Sequence, residues 1–198
     1  MKILIITPRI PYPPYRGDKL KIFNISKILS KGNKIHIITF YRSHKDKELV
    51  KPLEEMGIKI ILIKLTLFSS FLHTFLAVFQ NTPFQVAWYK SKKMQMTVDT
   101  LLKDNNFDIV YHHLIRTAQY YSSNDAGLNI IDFTDAVSLY LSRMIEQERN
   151  FFKKIFIRSE LKRISNYEKI AEKFDALFIC SGIDKKFLKD KGIIQDIQ

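Results

Sequence analysis

Two rhythms of apolar residues alternate along the chain. Lys2 to Thr7 (KILIIT), Lys34 to Phe40 (KIHIITF) and Ile58 to Lys64 (IKIILIK) are short runs, apolar at nearly every position. Asp108 to His112, Leu128 to Phe133 and Asp175 to Cys180 repeat the pattern. Such runs belong to strands covered on both faces, and covered strands form parallel sheets. Between the first two runs, Asp18 to Lys31 sets Leu20, Ile22, Phe23, Ile25, Ile28 and Leu29 mostly at helical spacing, and Gly32 follows as a stop. Further helices are expected at Glu48 to Met56, Val86 to Leu102, Leu114 to Tyr121 and Asp184 to Lys191. The long region Ala136 to Lys173 is also helical, with a break near Asn150. Strand and helix in alternation predict an α/β fold: a Rossmann-like, doubly wound, mostly parallel sheet forming a single domain over residues 1–198.

One segment leaves two readings open. Leu65 to Phe79 (LTLFSSFLHTFLAVF) is too short to span a bilayer, which takes about 20 residues. It suits either a helix buried against the sheet or one lying in a membrane interface, where its phenylalanines and the flanking Lys59 and Lys64 would be at home. The lone cysteine, Cys180, excludes an intramolecular disulfide framework and sits in an apolar run, so a buried, inert thiol is expected. Met1-Lys2 leads straight into the first strand without a small-residue cleavage site, and a cytoplasmic chain is expected, with attachment to the inner face of the plasma membrane as its peripheral variant.

The formal charge of +12 points to anionic partners: phosphorylated small molecules, an anionic membrane surface or nucleic acid. The bases are spread through amphipathic segments such as Lys153, Lys154, Arg158, Lys162 and Arg163. No basic-aromatic pattern of an RNA-binding sheet and no zinc spacing occurs, which argues against nucleic acid and a metal.

Ligands of open α/β sheets bind beyond the carboxyl ends of the strands, so the loops there carry the chemistry. The first, Pro8-Arg-Ile-Pro-Tyr-Pro-Pro-Tyr-Arg-Gly-Asp18, is stiffened by four prolines. In it Gly17 can bring backbone amides close to a ligand, Asp18 is placed to cap the next helix, and Arg16 and Lys19 add positive charge. Neither GxGxxG nor a P-loop is present. The second loop follows Asp108 and carries His112, His113 and Arg116; strand alternation sends one histidine inward and one toward the crevice. A crevice histidine can hold a sugar hydroxyl or serve as a general base. The third, Asp132-Phe-Thr-Asp135-Ala-Val-Ser138, offers two carboxylates at a strand-to-helix turn, where helix capping and a site role both fit.

Together these loops resemble glycosyltransferase family 4, retaining GT-B enzymes that use nucleoside-diphosphate sugars. The opening KILIITPRIPYPPYRGDKLKIFNISKILSKGNKIHIITF is similar to the exopolysaccharide-associated members, as are DIVYHHLIRTAQY, DFTDAVSLYLSRM, Glu160 and Tyr167-Glu168. The resemblance implies that Gly17 approaches the donor diphosphate, with Arg16 and Asp18 lining the same loop. It implies that His113 contacts the transferred sugar at the reaction centre, and that Arg116, Asp132, Asp135 and Ser138 face an interdomain cleft. The partners it implies are a nucleotide sugar as donor substrate and a glycan or lipid-linked acceptor; no cofactor or metal is implied.

The family carries its nucleotide site, with paired glutamates, in a second domain. That donor-binding half is expected from a further segment or from a separate chain, and residues 1–198 alone are expected to have no appreciable transferase activity. The competing expectation is a non-catalytic Rossmann-like module that binds a phosphorylated ligand, a membrane surface or a separate donor-domain chain.

Overall fold

The computed structural model describes residues 1–123 and 127–193. Six strands form one all-parallel sheet: β1 (Lys2–Thr7), β2 (Lys34–Tyr41), β3 (Lys59–Lys64), β4 (Ile109–His113), β5 (Leu128–Thr134) and β6 (Ala176–Ile179). Their spatial order is β3-β2-β1-β4-β5-β6, so the order reverses between β1 and β4. The connecting helices are α1 (Gly17–Leu29), α2 (Lys51–Glu54), α3 (Leu67–Gln80), α4 (Phe84–Ala87), α5 (Lys92–Asp104), α6 (Val137–Gln147), α7 (Phe151–Tyr167) and α8 (Gly182–Asp190). Short 3₁₀ turns cover His44–Val50, Ile115–Tyr120 and Glu168–Lys173.

The pleat explains why the strands are apolar throughout. Ile3, Ile5, Ile35 and Ile37 pack with Ile22 of α1 and Leu53 of α2 on one face. Leu4, Ile6, Ile38 and Phe40 point to the other face, where they meet Met94 and Val98 of α5. On that second face Ile131, Phe133 and Leu177 pack against Ile164 of α7 and Leu188 of α8. The α1 side of β4 to β6 is less covered: a hollow of about 370 Å³ lies there, lined by Ile25, Ile28, Ile109, Ile130 and Phe178 among others.

The helix boundaries follow local chemistry. The expected helix at Val86–Leu102 is two helices, because Ser91 breaks the run and accepts a hydrogen bond from the Met94 N–H at 3.2 Å, starting α5 afresh. The expected break near Asn150 is present, and Asn150 caps α7 by accepting from the Lys153 N–H. Gly57, at φ +78°, turns the chain after α2 into β3.

Two expectations are corrected. Cys180 is exposed, not buried, because β6 ends at Ile179 and the cysteine lies just past the sheet. The helix within Leu65–Phe79 forms, but it is not buried against the sheet by its apolar side chains. The buried residues of α3 are Ser70 and Ala77, while Phe68, Phe71, Phe75 and Phe79 are exposed.

Candidate functional site

The order reversal between β1 and β4 opens a crevice at their carboxyl ends, where the loop after β1 leads into α1. His113 ends β4, and Asp132 is its register partner on β5. Strand alternation puts Tyr111, His113 and Asp132 on the face that meets α1. His113 Nε2 lies 3.1 Å from the main-chain oxygen of Asp18, joining the two sides of the crevice. Its Nδ1 lies 3.5 Å from Asp132 Oδ2, so both ring nitrogens face acceptors.

Asp132 is fully buried and heavily partnered. Tyr111 donates its hydroxyl to Oδ2 at 2.5 Å, Lys21 donates from Nζ to Oδ1 at 2.7 Å, and the Thr134 N–H donates to Oδ1 at 2.8 Å. Burial pushes its carboxyl up, but His113, Lys21 and Tyr111 together outweigh that and hold it at about 2. The Tyr111 hydroxyl is pushed well above its usual range by burial and then by the Asp132 charge. Asp132 is therefore an ionised anchor that fixes Lys21, Tyr111 and the end of β4. Lys21 Nζ also sits 3.3 Å from the exposed Cys180 Sγ.

Backbone strain gathers here. Leu114, directly after His113, has φ +67°, and Thr134, two residues after Asp132, has φ +66°. Neither residue is a glycine, and each such position costs about 1–3 kcal/mol, sustained only where surroundings over-determine it. Here they are fixed by the Leu114 N–H donating to the Asp132 main-chain oxygen at 2.7 Å and by the Asp132–Thr134 bond.

The loop after β1 shapes a second feature. A cavity of about 410 Å³ opens at the carboxyl ends of β1, β2 and β3, lined by Arg9, Arg16, Lys19, Arg42, Asp46 and Tyr89 among others. Burial and then the neighbouring Arg9 push the Lys19 ammonium down, the mark of cations crowded together. Asp18 does not cap α1. Arg16 holds the cap position without a side-chain bond, and the Asp18 carboxylate instead lies 3.5 Å from Arg9 and 3.6 Å from Arg16. Gly17 opens the helix, and a Cβ added there would meet nothing within 4 Å. The first-turn N–H groups of α1 have no intrahelical acceptor and no side-chain cap, and Arg16 and Lys19 at this end of the helix line the cavity with Arg9 and Arg42, an arrangement suited to a phosphate.

No protein-family model matches the chain, and no curated protein matches it.

The remaining residues from the sequence divide by position. His112 points away from the crevice: its Nδ1 lies 3.1 Å from the Thr117 carbonyl, its ring packs edge-on against Phe174, and burial holds it down at about 4. Arg116 reaches Gln85 and lies over the Tyr89 ring, at the margin of the cationic cavity. Asp135 is largely exposed, and partial desolvation of its carboxyl, followed by the Asp184 charge, raises it. Ser138 is buried, giving its hydroxyl to Glu168 at 2.6 Å and receiving one bond from Lys191 at 2.7 Å. The structure therefore joins His113, Asp132 and Asp18 directly, while Ser138 lies in a separate internal network. Among the described residues no cluster of three or more metal-ligating side chains occurs.

Sequence reading missed Lys21, Tyr111, Arg9 and Arg42. Two of these had a signal. Tyr111 stands two residues before His113 on one strand, and Lys21 lies one helical turn beyond Asp18.

Proposed function

We propose that the chain is the N-terminal, acceptor-side half of a retaining glycosyltransferase, which moves a hexose from a nucleoside-diphosphate sugar to a glycan or lipid-linked acceptor in exopolysaccharide assembly. The observation that carries this reading is the crevice at the strand-order reversal, where His113 meets Asp18 beside a cavity walled by Arg9, Arg16, Lys19 and Arg42. A donor diphosphate is doubly anionic, and the open N–H groups at Gly17 with these cations supply charge and directed hydrogen bonds for it. His113, tied through Nε2 to the Asp18 main-chain oxygen with Asp132 3.5 Å from its Nδ1, would contact the sugar near the bond that breaks. In retaining transfer the departing diphosphate can take the acceptor's proton, so the site requires no separate base. The donor half comes from a further segment or a companion chain, and the enzyme works in the cytoplasm at the inner face of the plasma membrane.

The test is transfer of labelled hexose from a panel of nucleoside-diphosphate sugars into membrane lipid and glycan acceptors by the natural protein together with its donor half. Labelled product with the donor's anomeric configuration is expected, and its loss in Gly17→Val ties it to this crevice. No transfer from any donor, or a product of inverted configuration, defeats the reading.

A further inference from the structure

Helix α3 is built inside out. The side chains it turns toward the body are small or polar, with Ser70 and Ala77 buried and the Ser70 and Thr74 hydroxyls without hydrogen-bond partners. Its outward side carries Phe68 (80% exposed), Phe71, Leu72, Phe75, Leu76 and Phe79 (76% exposed). A helix that serves only its own core has the reverse arrangement. No Asp, Glu, Lys or Arg interrupts the sequence from Leu65 to Tyr89.

The apolar surface continues onto α7. Arg163 of α7 donates to the main-chain oxygens of Ala77, Val78 and Thr82 at the end of α3, and lies over the Phe84 ring. Phe84 in turn stacks on Phe156, rings 5.1 Å apart. About one turn toward the start of α7 lie Phe152 (80% exposed) and its neighbour Phe151, also exposed. Basic residues accompany this half of the face. Lys153, Arg158 and Lys162 are exposed, while the one acid of α7, Glu160, is buried and occupied by the Phe84 and Gln85 N–H groups.

We propose that the α3–α7 face docks on an anionic bilayer surface, inserting the phenylalanines of α3 and the start of α7 among the acyl chains while the lysines and arginines of α7 meet lipid phosphates. Phenylalanine beside lysine and arginine, without acids, is the composition of an interfacial helix. No helix among the described residues is long and apolar enough to cross a membrane, which fits a face that lies on the bilayer. The face also borders the cationic cavity: Leu65 lines the cavity, and Trp88 contacts both Phe71 and Arg42. The docking does not depend on the transferase reading, because its test uses neither donor nor acceptor.

Flotation of the chain with phosphatidylcholine vesicles, with and without phosphatidylglycerol, tests it. Wild type is expected to float with the anionic vesicles. Phe75→Ser with Phe79→Ser should weaken that binding about a hundredfold, and Lys153→Glu with Lys162→Glu about tenfold. Both pairs change side chains that cost the fold little, which circular dichroism checks. A wild-type chain that stays soluble at every phosphatidylglycerol content overturns the proposal. So does phenylalanine-pair binding equal to wild type, or a dimer in sedimentation that hides the face and excludes vesicles.

Discussion

The Nε2 of His113 and the main-chain oxygen of Asp18, 95 positions apart in sequence, lie 3.1 Å apart across the gap where the strand order reverses. The contact ties the end of β4 to the first turn of α1, next to a glycine with open space in front of it. Under the proposed transferase function, substituting Gly17 by Val should leave the melting temperature within a degree or two of wild type while turnover falls about a hundredfold. A Cβ there has no protein atom within 4 Å, and the side chain would stand where the donor diphosphate is proposed to bind. His113→Ala also removes turnover, but it empties a buried position and costs about 1–3 kcal/mol of stability. Thermal unfolding measured beside sugar transfer separates the two. A Gly17→Val enzyme with wild-type rates sinks the assignment of the crevice.

Asp132 makes stability depend on acid. Its folded carboxyl lies at about 2, below the ordinary 3.8. A group depressed by folding contributes stability above its unfolded value, and that contribution disappears as pH falls through the folded one. Between about pH 4 and pH 2 the protein should lose about 2 kcal/mol through this residue. Asp132→Asn removes that slope and, by stranding Lys21, costs about 3 kcal/mol at neutral pH. Urea unfolding of both proteins at several pH values checks the prediction, and parallel curves would disprove it.

How far these features can be read from the sequence differs by kind. The sheet is legible because β1, β2 and β3 are apolar on both faces, a pattern that local sequence carries alone. The Gly17 loop and His113 are legible because strand ends in such folds are where ligands bind. Whether Asp18 caps α1 is not legible, since Arg9 and Arg16 compete for its carboxylate only after the loop folds back. Nor is the direction of α3: an apolar helix pattern is the same whether the apolar side faces a core or faces away. The exposure of Cys180 is not legible either, because an apolar run does not mark the residue at which its strand ends.

Ser138 gives a test of cleft against core. Its hydroxyl joins Glu168 and Lys191 in the interior, and Lys191 also reaches Ser165. Ser138→Ala should lower stability by about 1–2 kcal/mol and leave the Michaelis constants for donor and acceptor unchanged. Denaturant titration and steady-state kinetics of the same preparation decide it. A raised donor constant with unchanged stability would place Ser138 at the ligand.

Helix α3 hangs on two residues of α7. Glu160 receives the N–H groups of Phe84 and Gln85, at 2.9 and 3.3 Å, and Arg163 gathers the carbonyls that end α3. These bonds hold the corner between α3 and α4, where the left-handed Asn81 turns the chain. The core contributes little there, since the large side chains of α3 point outward. Arg163→Ala should therefore leave global unfolding nearly unchanged while hydrogen exchange over Phe75 to Phe84 accelerates about tenfold or more. Glu160→Ala, which leaves two half-buried N–H groups without their acceptor, should cost about 1–3 kcal/mol globally as well. Exchange measured by mass spectrometry distinguishes the two effects. Unchanged protection of Phe75 to Phe84 in Arg163→Ala would mean that α3 is held by contacts other than this guanidinium.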